Sequence, residues 1–185
     1  NIRTQSLRLS EMIDKMLALA SVEYRQNEIE KKSLDLSELC RQVLHDFENA
    51  TNKKQSHKRI QWQSEGLDID APIQGDPFLL TQALQNLLDN AIDFSPEHGV
   101  IKLSIEIDQN QCCIKIRDQG AGIPDYAAER LFERFYSLPR PDTGQRSSGL
   151  GLSFVKEVAR VHKGDISLVN LPEGGVLASL FLAKS

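Results

Sequence analysis

The feature that most constrains this sequence is an apolar stretch with helical spacing that carries two asparagines. In "QNLLDNAIDFS", which covers residues 85–95, Asn86 and Asn90 stand four residues apart. Residues at this spacing lie on one face of an α-helix. Asparagine prefers caps and turns, so two amides in the middle of an apolar helix need a physical reason. They belong either to a buried hydrogen-bond network or to a site where an amide oxygen holds a hard cation such as Mg²⁺ beside a phosphate.

The rest of the 185-residue chain predicts a protein of mixed α/β class. Asp76 is a good cap and Pro77 fits the first turn of the helix that carries the asparagines. The stretch from Gly66 to Gly75 reads as turns. Other helices are predicted at about 37–52 and 150–162, and strands at about 59–64, 100–107, 112–117, 165–170 and 176–182. This order predicts an α/β (α+β) two-layer sandwich whose sheet is largely antiparallel.

The start of the chain predicts one long amphipathic helix that reaches to about Glu30. Its apolar seam is formed by Leu9, Met12, Ile13, Met16, Leu19 and Ala20. Such a seam packs either on its own domain or on a second helix in a hairpin or a dimer bundle. Because the chain opens inside a helical pattern, we expect it to be part of a longer protein. We expect a helical segment at 1–31 and a domain at 32–185.

Composition excludes several classes of function. The net charge of −4 gives no general basis for binding nucleic acid, so an anionic ligand needs local positive charge or a metal. No apolar run approaches the length of a membrane span, so this chain is predicted to contain no membrane segment. Cys40, Cys112 and Cys113 do not form a disulfide framework and are predicted to be reduced helix and strand residues.

A second motif, "DQGAGIP", directly follows a predicted strand. It places Asp118 at the strand end, with Gly120 and Gly122 beyond it. The glycines are either ordinary turn residues with positive φ or positions where the backbone approaches a flat ring closely. A single carboxylate at this point could accept a hydrogen bond from an exocyclic amine. The chain contains neither a Rossmann glycine fingerprint nor a Walker-type loop.

Two further motifs flank a loop at residues 137–148 that is rich in Pro, Gly, Ser and Arg and is predicted to be mobile. In "SSGLGLSFV", Gly149 and Gly151 stand where this loop becomes a helix, and amides at a helix N-terminus favour phosphate. In "FERFY", Phe132 and Phe135 are expected to pack beneath the loop. Arg134 between them presents a cation, which an ordinary surface ion pair would also explain.

Together these motifs resemble a known set of sequence boxes. The boxes are Asn86-x-x-x-Asn90, Asp118-x-Gly120-x-Gly122, Phe132-Glu-Arg-Phe135 and Gly149-Leu-Gly-Leu152. In this order they resemble the N, first glycine, F and second glycine boxes of sensor histidine kinases. That family belongs to the superfamily that also holds gyrase B, the Hsp90 chaperones and the MutL proteins. The resemblance covers about residues 34–183 and implies a Bergerat ATP-binding fold with a mixed sheet.

The resemblance implies ATP and Mg²⁺ as cofactors. It implies that Asn90 is the Mg²⁺ ligand, that Asn86 lies near the phosphates and that Asp118 accepts a hydrogen bond from the adenine amine. Asn86 and Arg134, which resembles an arginine that orients the terminal phosphate, are the predicted catalytic residues. The loop at 137–148 corresponds to the lid. The predicted nucleotide-binding residues are Asn86, Asn90, Asp118, Gly120, Gly122, Ile123, Arg140, Arg146, Ser148, Gly149, Leu150, Gly151 and Leu152.

Two positions bear on the class within the superfamily. Many family members carry Lys or Arg three residues after the second Asn, whereas this chain has Asp93. Asp93 must face away or pair with a cation, and Arg140 or Arg146 is the expected replacement for the missing charge. Gyrase-like ATPases have Glu at the position of Asn86, and an amide cannot act as a general base. The resemblance therefore favours a protein histidine kinase over a nucleotide-gated ATPase or interaction module of the gyrase B, Hsp90 or MutL kind.

The phosphate acceptor is predicted to lie outside this chain. Family kinases phosphorylate a histidine in a pattern close to His-Glu/Asp-x-x-x-Pro, which none of His45, His57, His98 and His162 matches in full. We expect the helix with that histidine to precede residue 1 and to complete a dimerisation hairpin. The resemblance also implies a response regulator as partner, a homodimer in the full-length protein, and a place in the cytoplasmic portion of a bacterial inner-membrane protein.

Overall fold

A computed structural model describes residues 2–24, 29–52 and 58–184. Its elements in chain order are α1 (Ile2–Tyr24), β1 (Lys32–Asp35), α2 (Leu36–Asn52), β2 (Gln61–Glu65), β3 (Pro72–Gly75), α3 (Pro77–Phe94), β4 (Val100–Ile107), β5 (Gln111–Arg117), α4 (Asp125–Ala128), α5 (Gly151–Val161), β6 (Asp165–Asn170) and β7 (Val176–Ala183). The predicted α/β class is confirmed.

The main sheet has five strands in the order β2-β4-β5-β7-β6. Only β2 and β4 run parallel, and the other neighbours are antiparallel, so the prediction of a mixed, largely antiparallel sheet is confirmed. Helices α3 and α5 pack on each other and on strands of this sheet, which makes two layers. The core between the layers contains fully buried side chains such as Leu84, Leu88, Ile114 and Leu180.

Helix α3 begins where its sequence predicts. The Asp76 carboxylate accepts a hydrogen bond from the backbone N–H of Leu79 at 3.0 Å, and Pro77 occupies the first turn. The backbone N–H of Asp76 donates in turn to Nε2 of His162, at the end of α5, at 3.0 Å. This contact ties the start of α3 to the end of the neighbouring helix.

Two expectations about local structure were wrong. The segment that reads as turns contains β3, which pairs antiparallel with β1, so that Leu34 lies opposite Ile73. Four-residue strands with such distant partners leave almost no local periodicity, which is why the sequence did not predict them. The opening helix is described as far as Tyr24, and its predicted extent to about Glu30 was too long, because Ile29 and Glu30 are not helical. Residues 25–28 lie outside the described residues.

The seam of α1 is only partly covered by its own domain. Leu19 of the seam is buried in the core, as is the nearby Val22, whereas Leu9, Ile13 and Met16 of the seam stay exposed. The covered part contacts α5, so the C-terminal half of α1 is the half that docks. Among the described residues, no helix combines the length and the apolar character that crossing a membrane requires.

The three cysteines are buried and free, with one in α2 and two in β5, as predicted. Burial raises the pKa of Cys40 to about 12 and that of Cys113 to about 11. These thiols are therefore protonated near neutral pH and act as small core side chains.

Candidate functional site

A cavity of about 340 Å³ opens between α3, the loop after β5, the loop at 137–148 and the start of α5. Most of the residues that the sequence predicted for a nucleotide site line it. They are Asn86, Asn90, Asp118, Gly120, Gly122, Ile123, Arg140, Ser148, Gly149, Gly151 and Leu152. Motifs that are far apart in sequence thus converge on one space, because α3, α5 and the sheet meet there.

Three predicted residues lie outside the lining. Arg134 forms an ion pair with Glu23 of α1. Arg146 donates to the carbonyl oxygen of Ser137 within the loop. Leu150 as a whole residue is only 1% exposed, and its side chain belongs to the core. The predicted roles of these three residues stay predictions, and each needs either a rearrangement or a backbone contact.

The two asparagines of α3 are held differently. Nδ2 of Asn86 donates to the carbonyl oxygen of Gln82 at 2.9 Å, which leaves Oδ1 facing the start of α5. A Cβ atom on Gly151 would lie 3.0 Å from that oxygen, so the glycine permits the close approach of α5. The side chain of Asn90 makes no hydrogen bond to any residue in the part of the chain that the structure describes, and it lines the cavity. Its amide oxygen is therefore available to a ligand.

Asp118 is oriented by the backbone around it. The residue is 7% exposed, and its Oδ1 accepts the N–H of Gly120 at 2.8 Å and that of Val176 at 3.1 Å. Burial raises the pKa of this carboxyl, and the two N–H donors partly oppose that rise. Within the described ranges no donor reaches Oδ2. The arrangement leaves one carboxylate oxygen for a donor in the cavity.

Gly149 joins the loop to the motif before it. Its φ is +70°, and a Cβ atom would lie 2.4 Å from the carbonyl carbon of Phe135, so only glycine fits. The N–H of Phe135 donates to the oxygen of Gly149 at 2.9 Å. The prediction that Phe135 packs beneath the loop was wrong. With a φ of 64° this residue turns its ring outward, where it is 57% exposed, whereas Phe132 packs on the core.

The loop at 137–148 is attached to the end of α3 by charge. Arg140 forms an ion pair with Asp93, so this carboxylate meets a cation as one sequence alternative required. Nζ of Lys58 lies 2.6 Å from Oδ2 of Asp142. The same buried ammonium donates to backbone carbonyl oxygens at the end of α3, those of Ile92, Asp93 and Ser95, at 2.7 to 3.0 Å. The loop is therefore pinned at two points.

Several lining residues were missed by sequence reasoning. Lys15 comes from α1, and nothing local indicates that this helix reaches the cavity. Asp89 also lines it. Although part of Asp89 contacts solvent, partial desolvation by the surrounding protein and the negative charge of Asp93 raise its pKa to about 6. The apolar wall formed by Ile116, Leu168 and Ala178 could have been found from strand alternation.

Of the four histidines, His162 is excluded as a phosphate acceptor by its contacts. It is 3% exposed, its Nδ1–H donates to Val158 at 2.7 Å, and its Nε2 accepts from Asp76. Burial lowers its pKa, which agrees with a neutral imidazole. His45 and His98 are exposed on surfaces away from the lining, and His57 lies outside the described residues.

Comparison with known proteins agrees with this geometry. The family model described as histidine kinase-, DNA gyrase B- and HSP90-like ATPase matches residues 75–185. Sensor protein CreC of Escherichia coli K12 is 48% identical over 184 residues, which is 100% of this chain and 37% of that protein. Sensor histidine kinase WalK of Bacillus subtilis strain 168 is 26% identical over 89% of this chain and 26% of its own length.

Solved structures give the same match. The nucleotide-free catalytic domain of histidine kinase ThkA has a TM-score of 0.72 at 28% identity, covering 84% of this chain and 98% of that one. ThkA in complex with response regulator protein TrrA has a TM-score of 0.76 at 26% identity, covering 100% and 50%. The chain spans well under half the length of the curated relatives it matches.

Proposed function

Because this chain belongs to the family of histidine kinase-, DNA gyrase B- and HSP90-like ATPases, as an ATP-binding catalytic domain of the histidine kinase type, we propose that its cavity holds Mg-ATP for transfer of the γ-phosphate to a histidine on another helix. The supporting observation is the convergence of Asp118, two amides and the start of α5 on one cavity. A buried acceptor at one end and phosphate-binding groups at the other suit a nucleotide.

In this proposal Oδ2 of Asp118 accepts a hydrogen bond from the exocyclic amine of adenine. The amides at the start of α5 face the phosphates, since the cap residue Leu150 offers them no side-chain acceptor. Asn90 would hold Mg²⁺, which when bound would supply positive charge that neutralises the phosphates. A neutral amide suits this role because the triphosphate carries the charge. The residues of the chain therefore bind and orient, which is most of what phosphoryl transfer requires of a protein.

The predicted cations have partners that the nucleotide must replace. Arg140 at the cavity pairs with Asp93, and contact with a phosphate would require an exchange of that partner. Arg134 pairs with Glu23 of α1, so orienting the terminal phosphate would require that pair to open. We propose that both exchanges accompany binding or transfer. Arg146, Ser148 and the backbone of Leu150 remain proposed lid contacts.

The second candidate is a nucleotide-gated ATPase or interaction module. It would need a general base beside the attacking water, and Asn86 in the corresponding position cannot take up a proton near neutral pH. We therefore expect ATP to be held and not rapidly hydrolysed. In the full-length protein we propose a homodimer, a response regulator as the final acceptor, and a place in the cytoplasmic portion of a bacterial inner-membrane protein, with residues 1–31 as a segment of the dimerisation hairpin.

Incubation with radiolabelled ATP and Mg²⁺ tests the proposal. The purified chain alone should bind ATP in calorimetry without acquiring acid-labile label, and a separately expressed helical hairpin with the kinase histidine should become labelled when added. Rapid phosphate release without the hairpin would favour the ATPase. Acid-labile label on this chain, lost on mutating His45, His57, His98 or His162, would place the acceptor inside it.

A further inference from the structure

Asn170, the last residue of β6, holds the loop that follows β5. Its Oδ1 accepts the backbone N–H of Ile123 at 2.7 Å, and its Nδ2 donates to the carbonyl oxygen of the same residue at 2.8 Å. The side-chain amide thus satisfies both polar groups of one backbone residue, as a neighbouring strand would. No local sequence pattern indicates this contact, because Ile123 and Asn170 lie 47 positions apart.

The loop that Asn170 holds is a wall of the cavity. Ile123 and Gly122 both line it. Gly122 has a φ of +88°, and a Cβ atom there would lie 3.0 Å from Oδ1 of Asn170, so the loop lies directly against this side chain. A change at Asn170 would therefore reach the cavity through the backbone of two lining residues.

The hairpin of β6 and β7 supports both ends of this wall. Asn170 pairs with Val176 across the hairpin, and the N–H of Val176 donates to Oδ1 of Asp118. Asp118 at one end of the loop and Ile123 at the other are thus held by two neighbouring residues of one hairpin. The distance between the carboxylate and the far wall is set by this pair of contacts.

We propose that Asn170 is a positioning residue for the base of the nucleotide. By holding Ile123, it sets the width of the slot between Asp118 and the Gly122–Ile123 backbone, where a flat purine ring would insert. The inference rests on the proposed function, because it needs an adenine nucleotide in the cavity. It adds a residue that touches neither the ligand nor the metal and acts only through the backbone that it holds.

The test compares Asn170→Ala with the control Asn49→Ala, which removes an exposed asparagine whose hydrogen bond is to His45 on α2. Calorimetry with ATP and with ADP, each in Mg²⁺ and in EDTA, should give about three- to tenfold weaker binding for Asn170→Ala in all four conditions. A loss shared by ATP and ADP, and independent of metal, excludes the γ-phosphate and Mg²⁺ as its origin and leaves the part of the nucleotide that contains the base. The control should bind as the wild type does.

A second variant separates positioning from general stability. In Asn170→Asp the ionised carboxylate can accept from the N–H of Ile123 but repels its carbonyl oxygen, so binding near pH 7.5 should be as weak as in Asn170→Ala. Protonation restores a donor and an acceptor. Residue 170 is exposed and an ordinary aspartate has a pKa of about 3.9, so the ratio of variant to wild-type affinity should recover as the pH falls toward 4.

The outcomes distinguish a failure of the proposed function from a failure of the positioning role of Asn170. A wild-type chain that binds no adenine nucleotide would overturn the proposed function and this inference with it. Wild-type binding together with unchanged binding by Asn170→Ala, even at a lower melting temperature, would overturn only the positioning role. So would a loss in Asn170→Asp that does not recover at low pH.

Discussion

Replacement of Asp118 by asparagine tests the proposed contact between its carboxylate and the exocyclic amine, the group that adenine has and guanine lacks at this position. In the wild type both backbone donors, from Gly120 and Val176, bind Oδ1. In Asp118→Asn the amide oxygen must take that position, because the NH₂ group cannot accept. The NH₂ group then occupies the position of Oδ2, which faces the cavity. The exocyclic amine of adenine would meet a donor where it previously met a charged acceptor.

The size of the effect follows from this orientation. A hydrogen bond to a charged group contributes about 1.5–3 kcal/mol, and here the whole bond is lost and not merely weakened. We therefore expect the Kd for ATP to rise roughly 10- to 150-fold. Guanine carries an acceptor at the corresponding position, so binding of GTP should improve relative to ATP. Competition between the two nucleotides, measured by calorimetry, gives this ratio directly.

The variant also has a built-in control for folding. Burial raises the pKa of Asp118, so the ionised carboxylate is less favourable in the folded chain than in the unfolded one. A neutral amide should therefore leave the melting temperature of the free chain unchanged or higher. In the wild type, ATP affinity should fall as the pH falls through this raised pKa, and the variant should lack that dependence. Normal ATP binding by a folded variant would refute the assignment of Asp118 to the base.

The remaining predictions concern the metal, the lid and the core. Asn90→Ala should weaken ATP binding far more in Mg²⁺ than in EDTA, whereas equal losses by calorimetry would indicate a structural role. Asp142→Asn removes an ion pair of the loop at 137–148 and should speed trypsin cleavage after Arg146 about two- to fivefold without nucleotide. An unchanged rate would contradict a loop that is held in place by charge. Burial lowers the pKa of His162, so the unfolded chain takes up a proton first as the pH falls below about 6.5, and stability falls with it. The stability gap between wild type and His162→Gln, from urea unfolding at pH 7.5 and 5.5, should narrow at the lower pH, and a constant gap would be evidence against this linkage.

The sequence by itself determined most of the helices and strands and predicted the residues of the site. Helix α3 could be predicted from its apolar spacing and from Asp76 and Pro77 at its start. The four-residue spacing of its two asparagines places both on one face of the helix. The strands β4 to β7 follow from alternation and short turns. Asp118 was recognisable because a carboxylate and two glycines directly follow a strand. All of these signals lie within a few residues, where backbone geometry and side-chain spacing are tightly coupled.

The tertiary structure alone decided which groups meet across the chain. The pairing of β1 with β3, the ion pairs of Arg140 with Asp93 and of Arg134 with Glu23, and the hold of Asn170 on Ile123 join residues that no local pattern connects. Their distances are set by how the helices and the sheet pack around one core. Packing also brought Lys15 of α1 to the cavity and turned the ring of Phe135 outward, because burial and contact depend on the position of whole elements and not on the identity of a residue and its neighbours.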